Sequence, residues 1–168
     1  MFPKDLTRIA ARLVRLAARR NAKLAAAESC TGGLIAAALT EPPGASDCFA
    51  GGFVTYSNAM KTGLLGVPKR VLSRFGAVSA EAARAMAKGA LRAGGANLAI
   101  AVTGIAGPGG GSKQKPVGLV YFATAKRAGK KILVRHAAKK FSNRGRNFIR
   151  LAATRRALTL LLGALGKG

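Results

Sequence analysis

The sequence predicts an α/β layered domain with a mixed, mostly parallel sheet. Three observations carry that expectation. Short apolar runs of strand character alternate with stretches of helical periodicity, the pattern of a parallel sheet covered by helices. Two late apolar runs meet around Gly129 and read as a hairpin, which brings an antiparallel strand into the sheet. The chain has 168 residues, 49% of them apolar, with no internal repeat and no linker-like stretch, so residues 1–168 read as one domain with its own core.

Each element has a local reason. Leu6, Ile9, Leu13 and Leu16 recur at helical spacing and line one face of a helix over residues 1–20, with Arg8, Arg12, Arg15, Arg19 and Arg20 largely off that face. Organelle transit peptides share such an arginine-rich amphipathic pattern. Here the apolar residues join a longer pattern and the stretch is not serine-rich, which favours the first helix of the domain. Residues 23–27 form a short apolar run that meets the polar sequence Glu28-Ser29-Cys30-Thr31-Gly32-Gly33. A helix over 34–39 follows, ended by Glu41-Pro42-Pro43-Gly44. Ser29 therefore stands where a strand turns into a helix. Residues 52–56 predict a buried strand. Ser57-Asn58 caps a short helix that runs to Leu65, with Gly66-Val67-Pro68 as its stop. A short apolar piece spans 71–75. Ser79 and Glu81 open a helix over 80–93, closed by Gly94-Gly95. A buried strand is predicted over 97–103 and a loop over 104–112. The hairpin strands are 117–125 and 131–141. A final helix over 143–165 carries Phe148, Leu151, Leu158, Leu161, Leu162 and Leu165 on one side.

Charge sets this chain apart. Twenty-nine Lys and Arg face five Asp and Glu, for a net charge of +24. Such a field draws nucleic acid or other polyanions without sequence preference. The cations are dispersed along the chain, which predicts a coated surface rather than a groove. No recognised helix-turn-helix or RNA-binding signature is present. Two cysteines and one histidine leave little for a metal cage or a disulfide framework. No apolar run reaches the length of a membrane span, and no secretory signal is visible, so a cytoplasmic protein is expected.

Three polar clusters follow predicted strands: 28–33, 56–61 and 103–112. In open α/β sheets, ligands collect beyond the carboxyl ends of the strands, so the three converge on one edge. The first offers Ser29 just before a helix start, whose unpaired N–H groups suit an oxyanion or a phosphate. The second offers Tyr56, Ser57, Asn58 and Lys61. A lysine whose pKa is lowered can activate a serine hydroxyl, and Tyr56 can relay a proton or fix the lysine. Ser57 and Cys30 are rival nucleophiles, and His136 is the one histidine a Ser–His arrangement could use. The third cluster is a glycine-rich loop that lacks the last glycine of GxGxxG.

Six strings, in order, then resemble one family, the CinA C-terminal domain. They are Glu28-Ser-Cys-Thr-Gly-Gly33, Gly52-Phe-Val-Thr-Tyr-Ser-Asn58 with Lys61, Leu64-Leu-Gly-Val-Pro68, Gly76-Ala-Val-Ser79, Thr103-Gly-Ile-Ala-Gly-Pro108 and Lys115-Pro-Val-Gly118. The resemblance implies a three-layer α/β/α sandwich and a nicotinamide-nucleotide amidohydrolase. Such an enzyme converts nicotinamide mononucleotide and water to nicotinate mononucleotide and ammonia. It implies no metal or cofactor and an assembly of at least two copies. It makes Ser29 the nucleophile, Lys61 its base and Tyr56 the third partner. Thr31, Gly32, Gly33, Asn58, Thr103, Gly104 and Gly107 then fall among the substrate contacts, with Ser46 and Arg146 as further candidates. Departures stand at Gly51, where the family usually has a nearby arginine, at Ala59 and at Lys113-Gln114, where acids are common, and at Asn143-Arg144 in place of Gly-Asp. Several of these put a cation or a neutral residue where an acid is usual. That pattern resembles a natural domain resurfaced to high positive charge, with a naturally basic homologue as the alternative. The competing expectation is an inactive scaffold that binds polyanions.

Overall fold

The computed structural model describes residues 2–166. The chain runs α1 (Lys4–Arg19), β1 (Leu24–Glu28), α2 (Leu34–Thr40), a 3₁₀ turn (Ala45–Asp47), β2 (Phe49–Val54) and α3 (Asn58–Leu65). It continues through α4 (Lys69–Phe75), α5 (Ala80–Ala93), β3 (Leu98–Gly104), β4 (Leu119–Ala128), β5 (Lys131–Lys140) and α6 (Arg146–Gly166). The five strands form one sheet in the order β2-β1-β3-β4-β5. β1 is parallel to both its neighbours, β2 and β3, and β4 is antiparallel to both of its own, β3 and β5. The sheet is mixed, as expected. Only β4 runs against the other strands, yet it takes part in two of the four pairings. "Mostly parallel" therefore describes strand direction and not pairing, which is evenly divided.

Helices cover both faces, giving the three layers. Alternation along the central strands sends different side chains each way. Leu24, Ala26, Leu98, Ile100, Val102 and Phe122 pack with α1, α2 and α6. Ala25, Ala27, Ala99, Ala101, Ala123 and Ala125 pack with α5, itself alanine-rich. Small residues on both surfaces keep that second layer thin. Gly89 extends the same logic to α3, because a Cβ there would lie 2.1 Å from the Leu65 carbonyl oxygen.

Several elements differ from expectation because alanine and glycine build more of this core than large residues do. On α1 the buried stripe is Leu6, Ala10, Leu13, Val14 and Ala17, with Ile9 and Leu16 at its margin. On α6, which begins at Arg146 rather than 143, Ile149, Ala153, Ala157, Leu158, Leu161 and Leu165 are buried, while Phe148, Leu151 and Leu162 flank them. β2 starts three residues before the predicted strand. It is an outer strand of alternating exposure, not a buried one. Residues 71–75 belong to the helix α4, which has no fully buried residue. β4 runs three residues beyond the predicted strand, into a two-residue turn at Gly129-Lys130. No helix among the described residues is long and apolar enough to cross a membrane.

Candidate active site

The site begins with a carboxylate that sequence reasoning passed over. Glu28 ends β1 and is fully buried. Its carboxylate accepts the N–H groups of Gly33 (3.0 Å), Ile35 (3.1 Å) and Ala36 (2.9 Å), satisfying donors that the first turn of α2 would otherwise leave open. The sequence signal was an acid five residues ahead of Gly33, the glycine at the cap position of α2. Between Glu28 and α2 the chain turns through Gly32 and Gly33, at φ of +58° and +95°, a region that favours glycine. The Gly32 N–H donates to the Ser29 carbonyl (3.1 Å), the Ser29 N–H donates to Val102 on β3 (3.0 Å), and Arg150 of α6 donates to the Thr31 carbonyl (2.8 Å). Ser29 is thus clamped by β3, and the turn that follows it by α6. The α2 amides are spent on Glu28, so the expected helix-start oxyanion donors are taken, Gly32 included. The N–H groups of Cys30 and Thr31 carry no backbone hydrogen bond in this turn.

Lys61 reaches the same point from α3. The Ser57 hydroxyl caps that helix by accepting the Met60 N–H (3.1 Å), and it does not line the cleft that holds Ser29. The lysine side chain is only 1% exposed. Its Nζ lies 2.7 Å from the Thr55 carbonyl oxygen, 3.4 Å from that of Tyr56 and 3.3 Å from Ser29 Oγ. No carboxylate pairs with it among the described residues. Burial pulls the Lys61 pKa below the ordinary lysine value, against a smaller opposing effect of Cys30. A neutral amine has two N–H donors and one lone pair. Nζ donates to both carbonyls and to Ser29 Oγ; once the amine is neutral, the carbonyls can take its two donors and its lone pair can accept the Ser29 hydroxyl proton.

One open cleft gathers Ser29, Tyr56, Lys61, Thr103, Gly104 and Gly107, from all three predicted clusters, with Arg146 from the start of α6. Arg146 braces its wall, donating to the Gly107 carbonyl (2.7 Å) and to the Tyr56 hydroxyl (2.8 Å). The Tyr56 phenol therefore bonds the arginine, and only its main-chain carbonyl meets Lys61. Thr103 Oγ1 donates to the Ala77 carbonyl (2.8 Å), tying β3 to the α4–α5 loop. Ala77, Val78, Ile105 and Ala106 also line the cleft. They carry no chemical signal in the sequence and are found only through the fold.

Other candidates lie elsewhere. Thr31, Gly32 and Gly33 shape the turn without lining the cleft, and the Thr31 hydroxyl is buried with no partner. Asn58 is exposed at the start of α3 and borders a separate depression with Lys69 and Leu72. Ser46 is exposed in the 3₁₀ turn before β2, at the amino ends of the strands, so strand direction puts it on the edge opposite Ser29. Cys30 does line the cleft, but burial pushes its pKa up to about 12, so it stays a thiol at neutral pH. His136 lies on β5, in a depression against α6.

Comparisons with known proteins agree with this fold. The model of the CinA C-terminal domain matches residues 6–165. A "CinA-like protein" of Akkermansia muciniphila is 49% identical over 89% of this chain and 35% of its own length. One from a Synechococcus species is 48% identical over 95% of this chain and 38% of its own length. The chain thus spans little more than a third of these relatives. The crystal structure of the competence/damage inducible protein CihA from Agrobacterium tumefaciens superposes with a TM-score of 0.94, at 49% identity and 99% coverage of both chains. A CinA superfamily protein from Klebsiella pneumoniae gives a TM-score of 0.90 at 32% identity, covering 97% of this chain and 99% of its own. With its sheet and these relatives in agreement, the chain belongs to the CinA C-terminal domain family.

Proposed function

We propose that the cleft hydrolyses the carboxamide of nicotinamide mononucleotide, with Ser29 as nucleophile and Lys61 as general base. The observation that carries this reading is the buried lysine, unpaired by any carboxylate among the described residues, with its Nζ 3.3 Å from Ser29 Oγ. Ser29 Oγ attacks the amide carbon while its proton passes to Lys61. The tetrahedral oxyanion forms beside the Cys30 N–H, which has no main-chain partner and lies on the cleft wall. Its collapse expels ammonia, with the proton returned from Lys61. Water, deprotonated by the same amine, then attacks the acyl–Ser29 ester; Ser29 Oγ leaves, takes the proton back from Lys61, and nicotinate mononucleotide is released. Tyr56 and Arg146, joined to each other, wall the cleft, and Arg146 brings a cation to the side where an anionic nucleotide enters. Thr103, Gly104 and Gly107 offer close approach on the facing wall. No step needs a metal or a cofactor.

The test is ammonia release from nicotinamide mononucleotide by the parent, Ser29→Ala and Lys61→Ala. Loss of nucleophile or base is expected to lower the rate by about a hundredfold to ten-thousandfold or more. Equal release from all three proteins sinks the mechanism. The net charge of +24 favours a second reading, a scaffold that holds polyanions. No release from the folded parent would favour it.

A further inference from the structure

The two faces of β5 are covered unequally. Ile132 and Val134 pack with the α5 layer. Alternation then turns Leu133, Arg135 and Ala137 to the opposite face, the side of α6. There α6 packs on β3 and β4, and a groove runs between it and β5. The groove consists of two joined depressions, of about 200 and about 230 Å³, which share Thr124, Arg135 and Ala164. Each is smaller than the roughly 300–1,000 Å³ of a site for a drug-sized ligand, which suits one slender occupant. No residue of either depression lines the cleft of Ser29.

The floor of the groove is apolar, built from Phe122, Ala137, Leu160 and Ala164. Leu133, 55% exposed, stands at one end. Arg135 of β5 and Arg156 of α6 approach the other end from opposite sides, with His136 beside them. Neither guanidinium has a hydrogen-bond or ion-pair partner among the described residues. No Asp or Glu lines either depression. The groove stays open because α6 turns Gly163 towards it, and a Cβ there would meet nothing within 4 Å.

We propose that this groove binds a monocarboxylate with an apolar tail, an acyl anion of medium length. Its carboxylate pairs with Arg135 and Arg156, and its tail lies along Leu160 and Ala164 towards Leu133. Two unpaired guanidinium groups select an anionic head, which they hold by charge-assisted hydrogen bonds. The apolar floor selects the tail. A nucleic-acid backbone gains nothing from Leu133 or Leu160 and is held as well by any cationic face of this chain. Shape narrows the choice further. The strand from Ala137 to Leu133 covers about 13 Å, which fits an extended chain better than a compact ring. The proposal does not depend on what the cleft hydrolyses.

The experiment is calorimetric titration with octanoate, with acetate as the head alone and with octan-1-ol as the tail alone, each kept below aggregation. The proteins are the parent, Gly163→Leu, Arg135→Gln/Arg156→Gln and the control Arg84→Gln/Arg92→Gln, with circular dichroism to check each fold. Gly163→Leu fills the groove and favours the helix. The control removes the same charge from α5, at a separate depression. The parent is expected to take one octanoate per chain and to bind acetate and octan-1-ol at least about tenfold more weakly, since each lacks one half of the contact. Gly163→Leu and the groove double variant should each weaken octanoate by at least about tenfold, and the control should match the parent. Absence of octanoate binding by the parent overturns the proposal. So does acetate or octan-1-ol binding as tightly as octanoate, a filled or uncharged groove that binds like the parent, or an equal loss in the α5 control.

Discussion

At the scale of the residue, Lys61 concentrates the chemistry, and burial gives it a measurable pH signature. Its folded pKa is lowered from 10.5 by desolvation. Between the folded value and 10.5, the unfolded chain holds a proton that the folded chain lacks. Stability therefore rises with pH across that window, and the penalty of burying the ammonium is fully present below it. Compared with Lys61→Met, which has no charge to bury, the parent should gain stability as pH climbs from neutrality towards 10.5. Denaturant melts at a series of pH values measure this. A constant difference between the two proteins would mean that Lys61 keeps its proton. Activity should follow the same ionisation, with a rising limb of kcat/KM centred below 10.5, because only the neutral amine accepts the Ser29 proton. Cys30 supplies the complementary test. A thiol at about 12 is no thiolate at neutral pH, so Cys30→Ala should retain ammonia release and a thiol alkylator should leave the parent active. Loss of activity in both would return Cys30 to candidacy.

At the scale of the element, two contacts hold the serine turn and the lysine helix in register. The Glu28 carboxylate takes three N–H groups at the start of α2. Glu28→Ala strands those donors in a buried site and should cost about 3 kcal/mol or more, read from urea midpoints; Glu28→Gln, which keeps one acceptor, should cost less. Gly89 faces the end of α3. Alanine inside a helix ordinarily gains about 1 kcal/mol over glycine. Here its Cβ would meet Leu65 backbone at 2.1 Å, so Gly89→Ala should reverse the sign and cost about 1–3 kcal/mol. Activity should fall with it as α3 shifts Lys61; a stabilised, fully active variant would refute this packing. These contacts also mark what was legible in advance. The three converging loops could be read, because turn residues and strand ends leave local signals; local sequence offered Ser29 and Lys61 only as candidates, and the family strings paired them. The Glu28 cap left a local signal that went unread, whereas the Arg146–Tyr56 bond and the opposite-edge position of Ser46 could not be read, since each depends on how distant elements lie side by side. The early start of β2 was hidden by Gly51-Gly52, and the true stripes of α1 and α6 by alanines that only a thin layer turns into core.

At the scale of the whole molecule, the charge is almost uncompensated. Glu28 is consumed inside the fold, and the one ion pair among the described residues joins Arg155 to Asp5 on the surface, where Arg155 lowers the Asp5 pKa. Exposed pairs contribute little and weaken with salt, so this one cannot offset the repulsion among 29 cations. Polyanion binding should therefore be indifferent to sequence and fall steeply with salt, as titration of a short duplex at two ionic strengths would reveal. The fold itself should show the opposite trend. The compact state brings like charges closer than the unfolded chain does, and mobile ions screen that excess over about 10 Å at 0.1 M. Raising sodium chloride from roughly 0.05 to 0.5 M should therefore raise Tm, by about 2–4 °C for each kcal/mol of repulsion removed. Working where sedimentation gives the mass of one chain keeps association out of the reading. A flat or falling Tm would mean that the dispersed cations already lie far enough apart in the folded state for their repulsion to cost nothing.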